Sequence, residues 1–497
     1  MEYSSPPVAP ARTLSRWVLG AAGIQVAVLL VTSGRYGYHR DELYFIAAGS
    51  HPAFGYPDQP PLVPLVSWAM NALAPHSLPV LRTPSALAAG LTTILAALIA
   101  RELGGGRRAQ VIAACCTAVS GFSLAVGHFV TTTTPDLLST TALSWLLIRA
   151  VVRGGGGSIL AAGVVVGVGA EAKPQVGLVA AVMLAALAVA GPRRVVRSRW
   201  TLAAAAAALA LAAPYVIWQA QHDWPQLAVA RNIAGSAEGG RIGFLPFQLV
   251  MVSPVLVPIW IAGLRAPFRR PGWADLRFVP IAYAVLGVLY IAGDGKAYYL
   301  ASLYPALLGL GALPAAAWTL RRRGRTAGLA VAIGLSGAFS GLIALPLLPV
   351  TDLQGSIVMA INPDQGETVG WPRFVSTVAS VWDRLAASQR RHTAIFTGNY
   401  GEAGAIDLFG GAYGLPRAHS GHNGFSEWGR PPAADTRALV LGYGRPAWAA
   451  PEFRNCRVMA TVNDGVGLQN EEQGMPVMLC TPSAGWAALW PQLTHFD

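Results

Sequence analysis

A polytopic α-helical membrane domain over residues 1–350, followed by a mixed α/β domain over 351–497, is the fold class this sequence predicts. Three observations carry the prediction. Apolar runs near the roughly 20 residues needed to cross a bilayer recur through the first 350 positions. The chain is 53% hydrophobic and only 12% charged, with a mean hydropathy of +0.45, where soluble domains carry about 25% charged residues. Arginines gather in short clusters between alternate apolar runs.

The apolar runs fall at 17–34, 79–100, 109–127, 136–152, 158–172, 175–191, 200–218, 244–263, 277–293, 297–318 and 326–348. They predict about eleven transmembrane helices. The first run follows Arg12 and Arg16, as in a signal peptide. It is long for such a segment and no A-x-A-like cleavage site follows, so a retained first helix is expected. With the N-terminus placed in the cytoplasm, the inner loops hold Arg101, Arg107 and Arg108; Arg149 and Arg153; Arg193, Arg194, Arg197 and Arg199; Arg265, Arg269, Arg270 and Arg277; and Arg321, Arg322, Arg323 and Arg325. The outer loops hold far fewer cations. This asymmetry follows the positive-inside rule. It sends the first outer loop (35–78), Asp136, both lysines and residues 351–497 to the extracytoplasmic side.

The net charge of +12 does not indicate a nucleic-acid partner, because the cations lie in loop clusters instead of on one basic face. Lysine occurs only at Lys173 and Lys296; every other basic residue is arginine. Cys115 and Cys116 sit inside an apolar run and read as small core residues. Cys456 and Cys480, if outside the membrane, fit a disulfide, and two separate thiols nearly as well. No cysteine or histidine spacing marks a metal site, and His51, His392, His419 and His422 read as polar or locally bonded groups.

The densest polar chemistry lies in RYGYHRDELYFIAAGSHPAFGYPDQPPL, residues 35–62. It holds His39, Arg40, Asp41, Glu42, His51, Tyr56 and Asp58 between two apolar segments. Adjacent acids on a helix point about 100° apart, so Asp41 and Glu42 are expected to serve different partners. A carboxylate here can act as a general base toward an acceptor hydroxyl or cap a first helical turn. Asp136 follows TTTTP and reads as a helix start, which also places a carboxylate at the membrane surface. Lys173-Pro174 and Asp294-Gly295-Lys296, followed by Tyr298 and Tyr299, each put a cation at an outer helix end. Such a lysine neutralises a lipid phosphate or snorkels toward headgroups.

Beyond residue 350, polar residues, glycine and proline rise. HTAIFTGNYGEAGAIDLF predicts a strand, a turn and a helix; RALVLGYG and RVMATV predict further strands. About 140 residues are enough for a core of their own. The Gly442-Tyr443-Gly444 pattern does not suggest a nucleotide site.

YHRDELYFIAAGSHPAFGYPDQPPLVPL resembles the first outer loop of bacterial relatives of the protein O-mannosyltransferases, the glycosyltransferase family 39 group that includes the lipid A aminoarabinose transferases. TTTTPDLLSTTAL resembles that family's second acidic position. EAKPQVGL and GDGKAYYLASLYPALL resemble its lysine segments, while NYGEAGAID, GLPRAHSGHNGFSEWG and NEEQGMPVMLC resemble outer-domain segments of bacterial members. The resemblance implies a GT-C fold and inverting transfer of a sugar from a polyprenyl-phosphate donor to an extracytoplasmic acceptor at the bacterial inner membrane. Under it, Asp41 is the base or acceptor-orienting acid, Glu42 supports it, and Asp136 positions acceptor or donor. Lys173 and Lys296 face the lipid phosphate, and Tyr299, His39, Arg40, Tyr56 and Asp58 line the substrate site. Metal use differs among GT-C enzymes, so the resemblance leaves a divalent cation open. Two departures stand out: Lys-Pro replaces the Lys-Gly of many members, and residues 351–497 are unlike the repeat domains of eukaryotic O-mannosyltransferases. Both count against protein as the acceptor.

A transporter or flippase of lipid-linked sugars is the alternative. It would place ionisable groups at mid-membrane and show inverted repeats. Here the ionisable groups gather at one face and no such repeat is apparent.

Overall fold

The computed structural model describes residues 13–235, 240–442 and 451–497. Arg12, counted above among the N-terminal cations, and Tyr443 and Gly444 lie outside these residues. The chain divides into two compact units. One comprises Met1–Ser33, Arg82–Trp218 and Ile233–Leu345; the other comprises Gly34–Leu81, Gln219–Asn232 and Pro346–Asp497.

The first unit is helical, and each of the eleven apolar runs is helical over most of its length. Among the described residues, five helices are long and apolar enough to cross a membrane: Leu78–Glu102, Thr133–Arg153, Arg199–Gln221, Ala297–Leu320 and Arg323–Ala344. The count rises to seven if two bent pairs each form one span. Arg107–Ala118 and Gly121–His128 meet at 56°, and Arg241–Val252 and Pro254–Arg269 at 85°. The sharper bend has a local cause. Ser253 sits at φ +84, outside the helical region, and Pro254 removes the next backbone donor. Four further apolar helices, Arg16–Thr32, Gly156–Ala170, Gln175–Ala190 and Phe278–Ala292, have 15 to 17 residues.

Packing in this unit relies on small residues as well as large ones. A Cβ at Gly263 would meet the Leu307 carbonyl oxygen at 1.9 Å, and one at Gly311 would meet the Ile259 carbonyl oxygen at 2.0 Å. The two helix backbones therefore touch where the glycines face each other, as in small-residue membrane-helix contacts. The neighbouring core contains Val179, Met183, Leu187, Leu286, Leu303 and Leu307. The fully buried Glu102 is held by Arg149 at 2.9 Å, Arg153 at 2.5 Å and Arg101 at 3.5 Å. A buried carboxylate persists only with such partners.

The second unit is built on a five-stranded sheet of β1 (Thr393–Thr397), β2 (Ala418–Ser420), β3 (Arg437–Leu441), β4 (Phe453–Thr461) and β5 (Pro476–Pro482), in the order β2-β1-β3-β5-β4. β1 runs parallel to β2 and β3; β5 runs antiparallel to β3 and β4. The strands expected from HTAIFT, RALVL and RVMATV are β1, β3 and β4; β2 and β5 have no counterpart among those expectations. Phe396, Val440, Phe453, Met478, Trp486 and Leu489 fill the core beneath the sheet. The helix Trp371–Arg384 buries Trp371, Phe374, Val375, Val378, Val381 and Trp382, the 3.6-residue stripe of an amphipathic helix. Cys456 and Cys480 form a disulfide between β4 and β5. Within this same unit, the first-loop helix Arg40–Gly49 lies against the helix Tyr400–Phe409, close enough that a Cβ at Gly404 would meet the Leu43 carbonyl carbon at 2.9 Å.

Candidate active site

The candidate residues fall into two sets, one in each unit. In the second unit, the helix Arg40–Gly49 begins at His39, whose Nδ1 accepts the Asp41 backbone N–H at 3.2 Å. Glu42 Oε2 accepts the His39 backbone N–H at 2.9 Å. The two contacts form a capping box, which satisfies backbone donors that a helix start otherwise leaves unpaired. Glu42 is completely buried in this role.

Asp41 faces a different partner. Its Oδ1 accepts the Tyr400 hydroxyl at 2.8 Å, and its side chain remains 31% exposed. His39 Nδ1 lies 3.8 Å from Asp41 Oδ2, and Arg40 Nε 4.0 Å from Asp41 Oδ1. Arg40 also pairs with Glu471 at 2.7 Å. Burial pushes the Tyr400 hydroxyl well above its ordinary pKa, and the Asp41 charge pushes the same way. Tyr400 therefore stays protonated and donates, orienting the carboxylate.

Asp58 accepts the Tyr44 hydroxyl at 2.6 Å, and that hydroxyl in turn accepts the Gly424 N–H at 3.0 Å. Burial pushes Asp58 up to about 7, against the lowering effect of the Tyr44 hydrogen bond. Tyr56 is fully buried and donates to the carbonyls of Ala48 at 2.8 Å and His51 at 3.1 Å. Its own carbonyl accepts Gln219 Nε2 at 3.1 Å. These contacts hold the loop's shape and spend the Tyr56 hydroxyl proton on backbone carbonyls. Trp428 stacks on His51 at 4.4 Å and lies tilted against Phe425 at 4.6 Å, and Tyr44 lies 4.7 Å from Tyr400. Glu367, Glu471 and Glu472 bring carboxylate oxygens within 4.8 Å of one another. Burial, then mutual repulsion, pushes Glu367 up to about 7 and Glu472 well above its ordinary range.

In the first unit, Thr133–Arg153 starts with Pro135 and Asp136 in its first turn. Asp136 is 1% exposed and accepts the Thr140 hydroxyl, one turn on, at 3.1 Å. Lys173 lies in the link between Gly156–Ala170 and Gln175–Ala190. Its Nζ donates to Thr133 Oγ1 at 3.1 Å and sits 5.3 Å and 4.9 Å from the ring centroids of Tyr298 and Tyr299. Burial pushes Lys173 down to about 8, opposed by the nearby Asp136 charge and reinforced by Lys296. Lys296 precedes the 3₁₀ segment Ala297–Leu303. Gln175 Nε2 donates to the Tyr299 carbonyl at 2.9 Å, and Gln248 Nε2 to the Ala297 carbonyl at 2.8 Å, which tie the Tyr298-Tyr299 turn to neighbouring helices. Asp294 pairs with Arg241 at 2.7 Å.

Asp136, Lys173, Lys296 and Tyr299 thus share one neighbourhood, and His39, Arg40, Asp41, Glu42, Tyr56 and Asp58 share another. Sequence reasoning did not single out Tyr400 or Trp428, although both lie in segments whose family likeness was noted. Tyr400 is 359 positions from Asp41, and no local pattern links them.

Residues 58–218 match the family model of dolichyl-phosphate-mannose-protein mannosyltransferases. The match includes Asp58, Asp136 and Lys173. No curated protein matches the sequence. Among solved structures, ArnT from Cupriavidus metallidurans bound to undecaprenyl phosphate is similar with a TM-score of 0.62 at 13% identity, over 94% of this chain and 98% of that one. The apo form of the same protein gives 0.60 over the same shares. The Archaeoglobus fulgidus oligosaccharyltransferase, in a complex with zinc and sulfate, gives 0.50 at 14% identity, over 81% of this chain and 62% of that one. Over residues 58–218 the chain is thus similar to the dolichyl-phosphate-mannose-protein mannosyltransferase family, and it shares the fold of the ArnT structures.

Proposed function

We propose that this protein is an inverting glycosyltransferase of the bacterial inner membrane, moving a sugar from a polyprenyl phosphate to an acceptor in the cell envelope outside the cytoplasm. The single observation that carries the reading is the setting of Lys173. An ammonium held by a threonine hydroxyl over two tyrosine rings, and pushed down to about 8, is short of negative charge. A lipid phosphate beside it restores the balance and keeps the lysine protonated. Lys296 supplies a second cation, Asp136 positions Lys173 through its charge, and Tyr299 shapes the anion site. The matched family domain supports a lipid-phosphate donor.

Asp41 is the base. It takes the proton of the acceptor hydroxyl as that oxygen bonds to the anomeric carbon, while the bond from that carbon to the phosphate oxygen breaks. Polyprenyl phosphate leaves with the bonding pair. A carboxylate oriented by Tyr400 and partly open to solvent suits this step. Glu42 supports it through the helix cap, with His39 and Arg40 beside the carboxylate; Asp58 and Tyr56 keep the loop in shape.

In this reading the four helices of 15–17 residues also cross the membrane and both bent pairs count as single spans, giving eleven crossings. The N-terminus is cytoplasmic and residues 351–497 are extracytoplasmic, as the arginine distribution argues. The Lys173-Pro174 pair and the form of residues 351–497 favour a lipid or glycan acceptor over protein.

The test is incubation of purified protein with a panel of polyprenyl-phosphate sugars and envelope acceptors. Release of polyprenyl phosphate with glycosylated acceptor is expected, and Lys173→Met is expected to slow it sharply at low donor concentration. Intact donor moving across a reconstituted bilayer without consumption would replace this reading with a flippase.

A further inference from the structure

Outside the residues used above, the second unit gathers three metal-ligating side chains beside β2. The chain leaves β2 through Gly421, His422 and Asn423. Residues 493–497 lie alongside. The His495 N–H donates to the Gly421 carbonyl at 2.9 Å and the Asn423 N–H to the His495 carbonyl at 3.0 Å, so His422 and His495 stand opposite each other in a parallel bridge. Extended chain puts alternate side chains on the same side, and Asp497 follows His495 by two. The Asn423 side chain fixes Asp497 from both ends of its amide, donating Nδ2 to the Asp497 carbonyl at 3.0 Å and accepting the Asp497 N–H at 3.2 Å. Gly421 permits the approach, since a Cβ there would meet the Leu493 carbonyl oxygen at 2.0 Å.

Ligand atoms of His422, His495 and Asp497 lie within 4.8 Å of one another. His495 Nδ1 is 3.0 Å from the Leu493 carbonyl oxygen. Only a protonated nitrogen bonds a carbonyl, so the His495 lone pair is on Nε2. His422 is 6% exposed, its Nε2 against the Asp497 carboxylate and its Nδ1 without a hydrogen-bond partner among the described residues. All three side chains line one cavity of about 430 Å³, together with Asn399, Gly442 and Gln492. A buried imidazole nitrogen with no partner is costly unless something binds it, and this imidazole lines a cavity beside a carboxylate.

We propose that His422, His495 and Asp497 hold a divalent first-row transition ion of the zinc class, with its remaining position open to the cavity. Two imidazoles and one carboxylate are the donors such ions take, whereas magnesium and calcium prefer oxygen alone. Tetrahedral zinc with bonds near 2.0–2.1 Å holds its donors about 3.4 Å apart, which small side-chain rotations reach. The ion ties residues 495–497 to the Gly421–Asn423 segment. It also backs Tyr400, whose ring lies 4.6 Å from that of His422.

The experiment is zinc binding to the full-length, chelator-stripped protein in detergent, followed by competition with a fluorescent chelator and by thermal melting. Wild type should take up about one zinc per chain and melt at a higher temperature with zinc than without. His495→Ala and Asp497→Asn should each weaken binding by about tenfold or more, the scale at which even indirect losses act on metal sites. Both variants should melt like the metal-free wild type, which separates lost ligation from misfolding. His392→Ala, a histidine outside the cluster, should bind as wild type does. No zinc uptake by wild type, unchanged affinity in His495→Ala and Asp497→Asn, or an equal loss in His392→Ala would overturn the site.

Discussion

Asp41 and Asp136 are both carboxylates in the first turn of a helix, yet they have been placed in opposite situations. Asp41 keeps about a third of its side chain exposed and is oriented by Tyr400, a residue far away in the chain. Asp136 is buried, bonded to a threonine one turn along its own helix, and acts electrostatically on Lys173. The helix start explains why an acid stands at each position. It does not distinguish a reachable acid from one that sets the charge of a lysine. That difference comes from what packs over each helix start, and in the proposed function it separates proton transfer at Asp41 from anion binding in the neighbourhood of Asp136.

The largest test of this division is Asp41→Asn. It should leave the melting temperature close to wild type and reduce turnover by roughly 10²–10⁴-fold, the range of a general base. Near-normal turnover would erase the contrast by removing Asp41 from the chemistry. Lys173→Met should act on the other side of the comparison, raising KM for the lipid donor by about 10–100-fold, as expected when a cation is taken from a partly buried anion site. The sign with pH follows. Lys173 titrates at about 8 in the absence of donor, and only its protonated form attracts phosphate. Donor affinity should therefore fall as pH rises through that value, and the fall should vanish in Lys173→Met. A pH profile identical in both proteins would detach donor binding from this lysine.

Tyr400→Phe keeps the ring and removes the hydrogen bond to Asp41. A loss of about tenfold in kcat with little change in donor KM is expected, since one oriented hydrogen bond to a charged group contributes about 1.5 kcal/mol. A change in donor KM alone would place Tyr400 with the anion site instead. Glu42→Ala should be the smallest in effect on chemistry. Loss of the capping box should lower stability by about 1 kcal/mol, seen as a reduced melting temperature, while turnover of the folded fraction is kept. A turnover loss as large as that of Asp41→Asn would make the two acids a joint catalytic pair.

Much of the helical architecture was legible in the chain. Each apolar run became helix because it is long and continuous, even where it holds a proline such as Pro84, Pro214 or Pro314. Two runs were misleading in one respect: 109–127 and 244–263 read as single segments but bend by 56° and 85°. Pro254 signals the second bend in the sequence; the positive φ of Ser253 does not follow from its residue type. In the candidate site, the acids, the lysines and Tyr298-Tyr299 could be picked out because they are polar groups at the ends of apolar runs. Their partners could not. Tyr400 and Trp428 resemble ordinary core aromatics until the fold sets them beside Asp41 and His51. His422, His495 and Asp497 were passed over for a similar reason: ligand spacing can be read only within one local element, and this cluster is made by pairing two segments some seventy residues apart.

By itself, then, the sequence determined which segments are helical, where the arginines cluster, and which few acids and amines sit at helix ends. Those properties depend on neighbours within a few residues, through hydrophobic periodicity, capping and charge. Tertiary structure alone decided that Glu42 is a cap while Asp41 stays reachable, that Tyr56 spends its hydroxyl on backbone carbonyls, and that Cys456 and Cys480 are joined. Each of these depends on burial and on which distant group arrives within hydrogen-bonding or bonding distance. Local pattern carries no record of that arrival.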